Sequence, residues 1–113
     1  MSLEIEIKVE QHYEIAHRAT EGHFTGHPII PGVVILADVM RAIRQHFASQ
    51  TRTPTLVYSL RAAKFLRPVL PGHSMTIALK FAAKDVEKNR QAVSFECLVA
   101  ESVVAKGAVD FYD

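Results

Sequence analysis

The sequence predicts an α+β fold, with one long helix embedded among five or six mostly antiparallel strands. Three observations lead there. A stretch from about Gly32 to Ala48 carries apolar residues at helical spacing, nearly all round in its first half. The stretches on either side alternate apolar and polar side chains with a period of two, as half-buried strands do. Proline–glycine, polar or charged segments punctuate them, with no repeat, linker or low-complexity run. Residues 1–113 therefore read as a single domain. A chain of 113 residues with 49% hydrophobic content has a core but buries a limited share of its surface. A homodimer is the smallest assembly expected.

In chain order, Leu3, Ile5, Ile7 and Val9 alternate with charged residues to give a first strand. Tyr13 and Ile15 continue it after a bend near Gln11 and His12. A loop runs from Arg18 to Pro31, and Pro31–Gly32 opens the helix. Val33, Leu36, Ala37, Met40, Ile43 and Phe47 trace its main stripe, widened by Val34, Ile35 and Val39. So apolar a first half predicts a helix buried inside the domain, with Arg41, Arg44 and Gln45 reaching water. Strand character returns over about 56–66, where Arg61, Lys64 and Arg67 fall on both parities and point to a bulge or an irregular edge. After a turn at 68–72, Met75, Ile77, Leu79 and Phe81 form one face of a strand. A charged hairpin at 85–90 leads to Val93, Phe95, Cys97 and Val99, and Val103 to Phe111 gives the last strand.

Composition excludes several classes. A formal charge of +1 with no long Lys/Arg block argues against a nucleic-acid binder. The lone Cys97 forms no internal disulfide, fits a reducing compartment, and reads as a small buried hydrophobe on an apolar strand face. No basic region precedes an apolar run near Met1, and the apolar run around Val33 to Ala37 is far too short to cross a bilayer. The expectation is a soluble, cytoplasmic protein without membrane contact.

The chemistry concentrates in Gly22-His23-Phe24-Thr25-Gly26-His27-Pro28-Ile29-Ile30-Pro31-Gly32. Pro28 and Pro31 each fix φ at about −65° and push their predecessors toward extended backbone. Gly26 and Gly32 permit close approach of the main chain. A loop so constrained presents His23 in one geometry. An imidazole with an ordinary pKa of about 6.5 suits proton transfer at neutral pH, although a structural histidine bonded to loop backbone fits the residues too. At Gly32 the unpaired N–H groups and partial positive charge of a helix start would polarise a carbonyl.

This stretch resembles the signature of the hotdog-fold 3-hydroxyacyl-[acyl-carrier-protein] dehydratases, whose loop reads roughly H-F-P-G-x-P-x-x-P-G. His23, Phe24, Gly26, Pro28, Pro31 and Gly32 match, and Thr25 stands where proline is usual. A second block, Lys64-Phe65-Leu66-Arg67-Pro68-Val69-Leu70-Pro71-Gly72, is similar to the family's F-x-R-P-V-x-P-G-D. The resemblance implies a hotdog fold, an antiparallel sheet wrapped around one long central helix, with two subunits paired edge to edge. It implies loss of water from a 3-hydroxyacyl thioester, on acyl carrier protein or coenzyme A, to give the trans-2-enoyl thioester without metal or redox cofactor. His23 would be the base and the Gly32 amide the donor to the thioester oxygen. Phe24, Ile30, Pro31 and Val33 are the expected substrate contacts, with Ile29 and Leu36 as further candidates, although core packing accounts for most of them equally.

One part of the pattern is missing. The family places an acidic residue fourteen positions after the histidine, and here that position is Ala37. Asp38 follows, rotated by roughly 100° on an ideal helix. Three arrangements fit. Asp38 swings into the site as the acid, since a lone carboxylate among apolar neighbours is costly without a purpose. Alternatively Asp38 pairs with Arg41, and activity is lost or relies on Glu21 or a water. In the third, His27 shares the proton work.

His23 and His27 do not lie on the helical face that paired metal-binding histidines use, so no metal site is expected. His12, His17, His46 and His73 read as surface or edge residues. Arg61, Lys64 and Arg67 are either a basic rim that steers an acidic carrier or solvated edge charges. Two rivals to a dehydratase remain: a catalytically incomplete subunit that binds acyl thioesters or pairs with an active partner, and an acyl thioesterase.

Overall fold

The computed structural model describes residues 5–15, 28–50 and 57–112. Its elements are β1 (Ile5–His12), α1 (Gly32–Ser49), β2 (Val57–Phe65), β3 (Ser74–Phe81), β4 (Arg90–Val99) and β5 (Ser102–Tyr112). The strands form one sheet in the order β1-β3-β4-β5-β2, every neighbouring pair antiparallel. This is the expected α+β hotdog architecture, with five strands among the described residues.

Period-two alternation places Met75, Ile77, Leu79 and Phe81 of β3, and Val93, Phe95 and Cys97 of β4, on the face that meets α1. From β5, Ala105, Val109 and Phe111 are also buried. Phe47 closes one end of this core, meeting Phe81 and Phe111 edge-on at centroid distances of 5.6 Å and 5.2 Å. Half-buried His46 lies over Phe81 at 4.2 Å, so it is more than a surface residue.

The helix differs from the sequence expectation. Its buried stripe is Ile35, Asp38, Val39, Ala42, Ile43 and Phe47. Val33, expected on the main stripe, is 75% exposed, and Ala37 is exposed as well. A single sheet covers only one side of a helix, so among the described residues the opposite side of the first half, with Val33 and Ala37, stays exposed. β1 differs too. It keeps register with β3 from Ile5↔Phe81 to His12↔Ser74 without a bend, and then ends. Tyr13 leaves the strand for the core, while Ile15 is exposed.

Strand connections follow local chemistry. The bulge predicted near Arg61 is a register shift between Leu60 and Ala62. In the charged hairpin, Asp85 and Arg90 exchange backbone bonds, Asp85 Oδ1 accepts from the Lys88 N–H, and Asn89 takes φ 47°. Ala100 and Glu101 form the tight β4–β5 turn with φ of 49° and 67°. Both lie in the left-handed region that two-residue hairpins demand, although neither residue type advertises it.

Gly107 is required by space. A Cβ there would lie 2.2 Å from the Ala62 carbonyl oxygen and 2.6 Å from the Phe95 ring. Gly107→Ala should therefore destabilise the fold by about 2–3 kcal/mol, read as a lower urea midpoint.

Candidate functional site

The segment linking β2 to β3, residues 66–73, holds the chain on both sides of the histidine loop. The Ile30 N–H donates to the Val69 carbonyl at 2.7 Å. On the other side, the Tyr13 N–H donates to the His73 carbonyl at 2.9 Å, and the Gly72 N–H donates to the Tyr13 carbonyl at 2.7 Å. Leu66 and Arg67 N–H groups donate to Val104, tying the segment to β5. Gly72 adopts φ 95°, a turn conformation that L residues rarely take. The second sequence block is thus the brace of the first. His23, Phe24, His27 and Glu21 fall outside the described residues.

Pro31 delivers the chain into α1 in extended backbone (φ −61°, ψ 146°), and its carbonyl accepts from the Val34 and Ile35 N–H groups. Among the described residues no side chain caps this end, and the first turn carries no acidic residue. Among the described residues, the Gly32 and Val33 N–H groups at this positive end are left to meet a developing negative charge.

A groove of about 400 Å³ adjoins this helix start. Ile29, Ile30, Ile35, Phe65, Leu66 and Val69 supply its apolar walls together with Gly32 and Pro68, and Arg67 is the one charged residue among the described lining. Ile30 is therefore both core and groove wall. Pro31 sets the helix entry, half-buried, without being part of the lining, and Val33 points outward, away from it. Phe65, Leu66 and Val69 were not singled out as lining in the sequence. Their signal was the second block, which showed no sign of proximity to the first.

Asp38 is not part of the groove lining. Its carboxylate is buried, accepting from the Tyr13 hydroxyl on Oδ2 at 2.7 Å and from the Arg41 guanidinium on Oδ1 at 2.5 Å. The Asp38–Arg41 pair of the second arrangement is present, reaching from the buried carboxylate to a guanidinium whose side chain is 59% exposed. Burial, and next the bond to the Asp38 carboxylate, drive the Tyr13 hydroxyl far above its ordinary range. Cys97 is pushed up to about 12, chiefly by burial and then by the Asp38 charge.

The basic trio separates. Arg61, displaced by the bulge, pairs with buried Asp110 at 3.2 Å. Lys64 lies directly across from Lys106, on the sheet face opposite to Phe65. Only Arg67 reaches the groove, so the three residues do not form one rim.

Comparison with known proteins follows the same lines. A family model described as ApeI dehydratase matches residues 2–108. The 3-hydroxyacyl-[acyl-carrier-protein] dehydratase FabZ of Ehrlichia chaffeensis is 33% identical over 91 residues, 74% of this chain and 61% of that protein. FabZ of Protochlamydia amoebophila is 29% identical over 119 residues, covering 95% of this chain and 74% of that protein. The chain thus spans about three fifths of the first of these relatives. Among solved structures, the dehydratase heterocomplex ApeI:P from Xenorhabdus doucetiae superposes with TM-score 0.66 at 24% identity, covering 96% of this chain and 88% of that one. The (R)-hydratase from A. caviae superposes with TM-score 0.72 at 14% identity, covering 96% and 95%. A 1,4-dihydroxy-2-naphthoyl-CoA thioesterase from Synechocystis shares the fold at TM-score 0.69 and 14% identity, covering 95% and 80%.

Removing the hydroxyl in Tyr13→Phe should cost about 1–3 kcal/mol, because Asp38 Oδ2 then loses its buried donor. The folded state holds the protons of Tyr13 and Cys97 more tightly than the unfolded state does. Their contribution is therefore fully present below pH 9.0 and is lost as pH rises toward about 12. Urea midpoints should fall across that window, and fall less steeply in Cys97→Ala.

Proposed function

Because the chain belongs to the ApeI-like dehydratase family, whose model spans residues 2–108, we propose that it removes water from 3-hydroxyacyl thioesters carried by acyl carrier protein or coenzyme A. The observation that carries this reading is the uncapped start of α1 opening onto an apolar groove, with the histidine loop anchored on both sides of it. His23 takes the proton from C2, and the charge that develops on the thioester oxygen is met by the Gly32 N–H. The C3–O bond then breaks, and the hydroxyl leaves with a proton as water, giving the trans-2-enoyl thioester. The reaction is redox-neutral and needs no cofactor. Phe24 and Ile30 contact the acyl chain, and Pro31 fixes the helix entry. Val33, on the open helix side, faces a substrate only across a subunit boundary.

Asp38 serves this site by holding Tyr13 at the root of the loop, since both its oxygens are engaged inside the core. The proton for the leaving hydroxyl then comes from the His23 imidazolium, from water, or from a neighbouring subunit. Pairing of subunits is supported by the open apolar side of α1 and by edge strand β2, where Tyr58, Leu60 and Phe65 stay exposed on the inner side. The carrier-borne substrate makes the cytoplasm the expected location.

A second reading is favoured by exposed Ala37, which offers no acid to a partner. In it the chain is one half of a mixed dehydratase, as the heterocomplex form of its structural neighbour suggests.

Hydration of crotonyl-CoA, followed by loss of enoyl absorbance, tests these readings. His23→Ala should lower kcat/KM by about 10²–10⁴-fold, and the wild-type profile should fall on the acid side around a histidine pKa of about 6.5. Asp38→Asn should lower the melting temperature more than it lowers kcat. A loss in kcat equal to that of His23→Ala, in a variant that melts like wild type, would instead make Asp38 the acid. An inactive wild type that gains turnover on mixing with a second dehydratase subunit would establish the mixed assembly.

A further inference from the structure

Phe65 ends β2 and stands directly over the helix start. A Cβ built on Gly32 would lie 3.0 Å from its Cζ and 3.1 Å from both Cε atoms, so the tip of the ring abuts the Gly32 Cα. All three of the nearest atoms belong to this one side chain. The glycine is not required by its backbone, because Gly32 is helical and only Gly72 among the described glycines has positive φ. Gly32 is the first helical residue, and a side chain there fits only if the ring gives way by a few tenths of an ångström. The room is taken by Phe65. The ring is nonetheless 48% exposed, a large apolar surface left beside the groove rather than sunk into the core.

We propose that Phe65 is a specificity-determining residue, limiting the bulk that the site admits at C2 of the acyl group, so that straight-chain thioesters are accepted and 2-branched ones rejected. The inference rests on the proposed role of the Gly32 amide. An oxygen bound to that N–H brings the neighbouring acyl carbon alongside the ring tip that already touches Gly32. A hydrogen on C2 fits in that gap, whereas a methyl meets the ring. Ile30 and Ile35, both buried, and Val69, held by its bond to Ile30, leave the opposite wall little freedom to yield.

The test compares hydration of crotonyl-CoA and 2-methylcrotonyl-CoA by wild type and Phe65→Ala. The ratio of kcat/KM values should favour the unbranched substrate in wild type and shift toward the branched one by at least about tenfold in the variant. An unchanged ratio in a folded Phe65→Ala protein would overturn the proposal while leaving the dehydratase reading intact. No turnover of either substrate by wild type, alone or mixed with a second dehydratase subunit, would overturn both. A second measurement does not depend on catalysis. Gly32→Ala should lower the melting temperature in the wild-type background and raise or leave it unchanged in the Phe65→Ala background. Equal shifts in the two backgrounds would show that the ring does not occupy the space above Gly32, and the proposal would fall.

Discussion

The backbone bond from Ile30 to Val69, together with the pair joining Tyr13 to Gly72 and His73, is the constraint on which the site depends. Main-chain donors and acceptors at such depth carry a large penalty when unpaired, so these bonds hold their partners in one arrangement. Ile30 sits two residues before Gly32, and Val69 sits four after Phe65. A single short link thus sets the helix start, the groove wall and the ring above Gly32 relative to one another. It also gives a physical reason for the two sequence blocks to occur together, since each is half of one braced unit.

The buried Asp38 bridge works on the same unit from the helix side. A carboxylate inside a core is tolerated only when its hydrogen bonds are met, and here a tyrosine hydroxyl and a guanidinium meet them. The arrangement ties the second turn of α1 to the last described contacts before the histidine loop. Removing Arg41 leaves the carboxylate without its opposite charge, whereas removing the Tyr13 hydroxyl leaves one oxygen without its buried donor. The effect of the bridge is positional, joining Tyr13 at the end of β1 to the second turn of α1.

The protomer leaves two apolar surfaces incomplete, the outward side of the first half of α1 and the inner side of β2. Both arise because a five-stranded sheet curls far enough to cover one side of one helix and no more. Among the described residues, no helix is long and apolar enough to cross a membrane. Ala37 lies on the exposed side of the helix.

Much of the architecture was determined by sequence alone. Period-two runs defined β3, β4 and most of β5, because each has one face in the core and one in water, and Pro31–Gly32 marked the start of α1. The crowding of basic residues near 61 likewise announced the bulge. Other features were decided only by tertiary structure. Which apolar side of α1 is buried could not be read from a helix apolar nearly all round; the single sheet made that choice. The Ala100–Glu101 turn was not legible because β4–β5 pairing forces a conformation its residues do not prefer. Of the candidate site, the histidine loop and Gly32 were legible as motifs, because proline and glycine constrain the chain locally. The partners of Asp38 and the ring above Gly32 were not, since Tyr13 and Phe65 lie 25 and 33 residues away from them along the chain. Spacing encodes local geometry, whereas contacts between distant segments exist only once the sheet has brought them together.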